Sequence, residues 1–131
     1  MSEMEESPFK GKTGFSRVVR AFGYSLHGFG SAFRNEEAFR QEAMLAVVMI
    51  PIALFIDVSG TAKAMMVASV VFVLIVELLN SAIEATVDRI SLDRHQLAKR
   101  AKDISSAAVF LSLANVALVW GIILWDAFVQ H

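Results

Sequence analysis

Twenty-two consecutive residues, Ile104 to Trp125, carry no charged side chain. As a helix rising 1.5 Å per residue they reach across the roughly 30 Å hydrocarbon core of a bilayer. Backbone N–H and C=O groups in hydrocarbon must find partners within the segment, which leaves a helix as the fold open to a single apolar run. Two further apolar runs precede it. Ala43 to Ile56 is fourteen uncharged residues containing Pro51, short for a span when taken alone. Ala64 to Val87 is long enough, but it carries Glu77 and Glu84. Between these two, Asp57 to Lys63 is a tight polar connection that predicts an antiparallel hairpin. With 56% hydrophobic residues and 19% charged ones in 131, an all-α membrane protein with three transmembrane helices is the simplest arrangement.

Upstream of the spans, Phe15, Val18, Val19, Phe22, Leu26, Phe29 and Phe33 form one helical stripe. Arg17, Arg20, Tyr24, His27, Ser31 and Arg34 form the opposite one. An aromatic face backed by a basic face predicts an amphipathic helix lying in the headgroup plane. Gly23, Gly28 and Gly30 lower helix propensity, so a bend or break near 28–30 is expected. Residues 1–13 are acidic, polar and lack an apolar signal core, and are expected to stay as a loose tail. The remaining residues, 14–131, form a single domain, with the surface helix at 14–34 and spans at 41–57, 63–88 and 103–126.

Charge placement orients the bundle. Six of the twelve Lys and Arg residues precede the first span, and five (Arg89, Arg94, Lys99, Arg100, Lys102) lie between the second and third. Only Lys63 lies in the other loop. The positive-inside rule then places the N-terminus and the second loop in the cytoplasm and the C-terminus outside. The absence of cysteine excludes a disulfide framework, and a net charge of −1 gives no general pull toward nucleic acid.

The second span changes character halfway along. Glu77, Asn80, Ser81, Glu84 and Asp88 recur at steps of three and four, which places them on one helical face. Acidic side chains at membrane depth are costly and by default mark a site facing the bundle interior. Counted from Ala64, Glu77 lies about 20 Å into the span, and Glu84 emerges two turns later near the cytoplasmic boundary. That vertical order suggests transfer between a soluble phosphorylated donor and a lipid acceptor. Burial of Glu77 suits removal of a proton from an alcohol, although an interhelical tether is the plainer role. Asn80 and Ser81 serve equally as interhelical glue. Glu84 and Asp88 suit a hard cation such as Mg²⁺, which takes one or two carboxylates plus substrate phosphates.

Glu36, Glu37 and Glu42, where the surface helix turns into the first span, are most simply solvated. The basic run from His95 to Asp103 is either plain positive-inside charge, with Asp103 as helix cap, or a phosphate-binding cluster. Lys102 in a first helical turn would oppose the helix dipole, which hints at an anion. Gly11-Lys12-Thr13 is not a phosphate-binding P-loop, because Glu6 stands where the first glycine is required.

Three blocks together resemble a known family. Asn35-Glu36-x-Ala38-Phe39-Arg40-Gln41-Glu42, Glu77-x-x-Asn80-Ser81-Ala82-Ile83-Glu84-Ala85-x-Val87-Asp88-Arg89 and Ala101-Lys102-Asp103-x-x-Ser106-Ala107-Ala108-Val109 are similar to the signature blocks of the bacterial integral-membrane diacylglycerol kinases. The likeness runs from about Thr13 to Trp125. The Asp88-Arg89 ending and the tryptophans of the last span resemble the proteobacterial type more than the undecaprenol kinases of Gram-positive bacteria. The resemblance implies a helical bundle of one surface helix and three spans assembling as a homotrimer in the inner membrane, with sites where subunits meet. It implies phosphorylation of diacylglycerol by MgATP to phosphatidate. It further implies Glu77 as general base, and Glu36 and Glu84 as ligands of the divalent metal on ATP. Lys102 and Asp103 fall in the nucleotide site, joined by Arg17, Tyr24 and His95, with Asp88 beside the nucleotide. Asn80 and Ser106 would support the base and the lipid pocket. One departure is Ser105, where many members have glycine.

Two rivals stand beside this expectation. An undecaprenol kinase would share the phosphate-handling residues and differ in its acceptor pocket. A non-enzymatic transporter subunit would account for a buried Glu77, but not for a second carboxylate two turns on that faces a basic loop.

Overall fold

A computed structural model describes residues 13–90 and 95–129; the rest of the N-terminal tail and the 91–94 connection lie outside the described residues. Among the described residues every regular element is helical. α1 (Thr13–Asn35), α2 (Glu37–Phe55), α3 (Gly60–Ile90) and α4 (His95–Phe128) follow in order. Three of them, α2, α3 and α4, are long and apolar enough to cross a membrane. The expected surface helix and three spans are therefore all present.

α1 is helical without interruption through Gly23, Gly28 and Gly30, so the expected break near 28–30 does not occur. Each glycine weakens a helix by about 1 kcal/mol, and twenty-three residues with a continuous apolar stripe absorb that cost. Arg34 closes over Gly30, with its guanidinium 3.2 Å from where a Cβ would sit.

The chain turns instead at Glu36, whose backbone is extended (φ −118°, ψ 109°). The turn is tightly bonded. The Glu36 N–H donates to the Ala32 carbonyl at 2.8 Å, and the Arg40 N–H donates to the Glu36 carbonyl at 3.1 Å. The Arg40 guanidinium then reaches back to the last carbonyls of α1, donating to Phe33 at 2.9 Å and Arg34 at 3.1 Å. Helix ends leave carbonyls without partners, and a cation there also suits the helix dipole. Arg40 thus closes the end of α1 from within α2.

α2 and α3 are joined through Ser59, whose hydroxyl accepts the Ala62 N–H at 3.1 Å as an N-cap. Lys63 donates to the Leu54 carbonyl at 2.7 Å, satisfying the far end of α2. α3 lies between its neighbours, packing on α2 and, more extensively, on α4. The α3–α4 seam is antiparallel, since Met66 meets Trp120 at one end and Asp88 meets Lys102 at the other. Small residues let the helices approach closely: Ala46 and Ala53 of α2 and Ser69 of α3 are buried, around Met66, Val70 and Val73. Ser69 and Ser112 donate to carbonyls of their own helices, so neither leaves a bare hydroxyl in the apolar interior.

Much of the apolar surface remains uncovered by the chain itself. Phe55 is 86% exposed, Phe110 71% and Leu111 68%. Lipid or other copies of the protein must cover these side chains.

Candidate active site

α3 is 31 residues long, about 46 Å at helical rise, and outruns a 30 Å hydrocarbon core. Its polar stripe occupies the second half and turns inward. Glu77 is 4% exposed, and Asn80 and Ser81 are 9% each. Glu84, one further step along the stripe, is half-buried, and Asp88 is exposed. A gradient from enclosed to open therefore runs along a single helical face.

The Asn80 amide lies at the centre of this stripe. It donates to Glu84 Oε2 at 3.4 Å and accepts a hydrogen bond from the Ser105 hydroxyl on α4, with Glu77 one turn back on the same face. Sequence alone leaves Asn80 between tether and site residue, and the structure shows it tying α3 to α4. Ser81 differs, because its Oγ is buried with no hydrogen-bond partner among the described residues.

α2 contributes an acid that sequence reasoning left in solvent. Glu42 is only partly exposed and lines a cleft against Val70 and Val73 of α3. Its Oε1 is buried and finds no hydrogen-bond donor among the described residues. The available signal was spacing: Phe39, Glu42 and Ala46 share one helical face, and Phe39 and Ala46 are both buried. Glu36, at the α1–α2 turn, is half-buried. It occupies an N-cap position without capping with its side chain, so its carboxylate is not committed to the helix end. Glu37 is exposed.

A second charged group closes the open end of the α3–α4 seam. Lys102 pairs with Asp88 at 2.6 Å, and Lys99 pairs with Asp103 at 2.7 Å one turn apart on α4. Helix α4 begins at His95, eight residues before Asp103. Asp103 is therefore not a helix cap, and Lys102 sits two turns inside the helix, beyond the reach of a terminal dipole argument. The helix starts early because Gln96-Leu97-Ala98-Lys99-Arg100-Ala101 are good helix formers and Lys99 and Asp103 bridge it.

The remaining candidates stand apart within one protomer. Arg17 and Tyr24 are exposed on α1, and Ser106 is exposed on α4, facing away from its buried neighbour Ser105. No hydrogen bond or ion pair joins these three to the Glu77 group among the described residues. The side chain of His95 lies outside the described residues.

Among the described residues no three His, Cys, Asp or Glu side chains converge into a metal cage. Glu36 and Glu84 offer hard carboxylate oxygens, which fits a Mg²⁺ that takes one or two protein ligands and completes its shell from phosphate and water.

Enclosed carboxyls at mid-helix, grading into an ion-paired aqueous end, define an integral-membrane protein with a polar site between its spans. The sequence model of prokaryotic diacylglycerol kinase matches residues 23–124. The diacylglycerol kinase of Pseudomonas aeruginosa is 57% identical over 121 residues, covering 92% of this chain and 98% of that protein. That of Escherichia coli K12 is 46% identical over 116 residues, 88% and 95% of the two chains. A more distant relative, the diacylglycerol kinase of Helicobacter pylori 26695, is 38% identical over 121 residues, 92% and 93%. The chain belongs to the prokaryotic diacylglycerol kinase family.

Proposed function

We propose that the protein transfers the γ-phosphoryl group of ATP to the primary hydroxyl of diacylglycerol, giving phosphatidate, in the bacterial inner membrane. The observation that carries this reading is the burial gradient along α3. Glu77 is enclosed where a lipid hydroxyl would arrive, and Glu84 opens toward the ion-paired end where a nucleotide would. Names shared by relatives across nearly the whole chain support the same substrate.

In this reading Glu77 accepts the hydroxyl proton as the oxygen attacks phosphorus. Asn80 holds Glu77 and Glu84 in register, and Ser106 belongs to the lipid pocket. Glu36 and Glu84 hold the Mg²⁺ that neutralises phosphate charge when bound. Lys102 exchanges Asp88 for phosphate oxygens, beside Asp103, Arg17, Tyr24 and His95. Phosphoryl transfer needs alignment and charge neutralisation more than covalent help, and these residue types supply both. Arg17, Tyr24 and Ser106 face outward in a single protomer, which suits a homotrimer whose sites are completed between subunits. The basic residues before α2 and between α3 and α4 support a cytoplasmic N-terminus and a periplasmic C-terminus.

The test is purified protein in mixed micelles, given MgATP with diacylglycerol or undecaprenol in parallel. ATP consumption that depends on diacylglycerol and yields phosphatidate is the expected result. Turnover on undecaprenol alone would reassign the acceptor, and no lipid-dependent ATP use would remove the kinase reading.

A further inference from the structure

The hydroxyl of Ser105 makes its hydrogen bond between two helices. Ser25, Ser69, Thr86 and Ser112 each donate to a carbonyl three or four residues back on their own helix. Ser105, 6% exposed, instead gives its proton across the α3–α4 seam to Oδ1 of Asn80. An amide has chemically opposite ends, an oxygen that accepts and a nitrogen with two N–H donors. With the oxygen taken by Ser105, the nitrogen is turned toward the acidic face of α3, one N–H donating to Glu84 Oε2 at 3.4 Å and the second left for Glu77, one turn back on that face. The reverse orientation would set Oδ1 against two groups that only accept when ionised. The amide torsion is intrinsically broad and two-fold, so the hydroxyl supplies a restraint the side chain lacks by itself.

We propose that Ser105 is a positioning residue, whose hydroxyl fixes the Asn80 amide so that its two N–H donors hold Glu77 and Glu84 in one geometry. Ser105 touches neither substrate. It acts through Asn80 on both carboxylates at once, so its loss disturbs proton removal and metal handling together and leaves lipid binding alone. The inference rests on the kinase reading for its kinetic consequences, but not for its geometry.

Ser105→Ala removes the hydroxyl and keeps the helix. A hydrogen bond of this kind sets an expected fall in kcat of about 3- to 10-fold. The Mg²⁺ concentration for half-maximal rate should rise about threefold, with the KM for diacylglycerol within about twofold of the parent. Ser105→Thr, which retains the hydroxyl, should recover most of both. An unchanged kcat and Mg²⁺ response in Ser105→Ala overturns the proposal, as does an equal loss in the alanine and threonine variants. A readout free of catalysis is the side-chain ¹⁵N–H₂ resonance of Asn80 in micelles. Its two protons should exchange slowly with water in the parent and at least tenfold faster in Ser105→Ala, and equal exchange overturns the proposal. If the parent protein shows no lipid-dependent phosphorylation, the kinase reading fails, and the Asn80 resonance still decides the role of Ser105.

Discussion

The two ends of the α3–α4 seam are built from different materials. At one end the Trp120 indole N–H donates to the Met66 carbonyl at 3.2 Å, and Met66 itself is fully buried. This is a side-chain-to-backbone tie among apolar neighbours. At the other end the ties run between side chains, Ser105 to Asn80 and Lys102 to Asp88. A backbone carbonyl cannot move without its helix, whereas a carboxylate or ammonium group changes partners by rotating a few bonds. The first end holds the helices together, while at the second the Lys102–Asp88 pair can change partners by side-chain rotation alone.

Substitutions at the two ends should therefore separate activity from stability, and the largest effect belongs at Glu77. Under the proposed chemistry Glu77→Gln should lower kcat by about 10²- to 10⁴-fold, the span attributed to a general base. Nucleotide and lipid binding, measured by equilibrium titration, should change little; a near-parental rate would exclude the base assignment. Glu84→Gln should raise the Mg²⁺ requirement by about tenfold, on the scale of one charge-assisted contact. A Mg²⁺ titration that superimposes on the parent counts against Glu84 as a ligand. Lys102→Ala should raise the KM for ATP by about two- to fivefold, the scale of a partly exposed charge, with the lipid KM steady. The smallest effect belongs at the apolar end. Trp120→Phe removes one N–H donor and should cost about 1 kcal/mol of stability in micelle unfolding. Its kcat should match the parent, and a large loss of rate there would erase the distinction between the two ends.

How far the sequence alone could be read divides along the same line. Long-range hydropathy and charge asymmetry survive packing, so the surface helix, the three spans and the inward face of Glu77, Asn80 and Glu84 were legible from residue type and period. What escaped depends on partners that a single helix does not announce. Glu42 looked solvated because Glu36, Glu37 and Arg40 surround it in the chain, yet its face is shared with buried Phe39 and Ala46. Ser105 read as an added bulk where a smaller residue was expected, and its hydroxyl found an amide twenty-five positions away. The charged run from His95 to Asp103 predicts a loop ahead of the last span, whereas Lys99 and Asp103 are paired along the helix it forms. In α1 the glycines suggested a break that the continuous apolar stripe prevents.

The turn at Glu36 has one more consequence. Its own N–H and carbonyl are both engaged, and Arg40 grips the two carbonyls just upstream. The corner is thus a bracket rather than a swivel, and any tilt of α1 is passed to the Glu36 backbone with little slack.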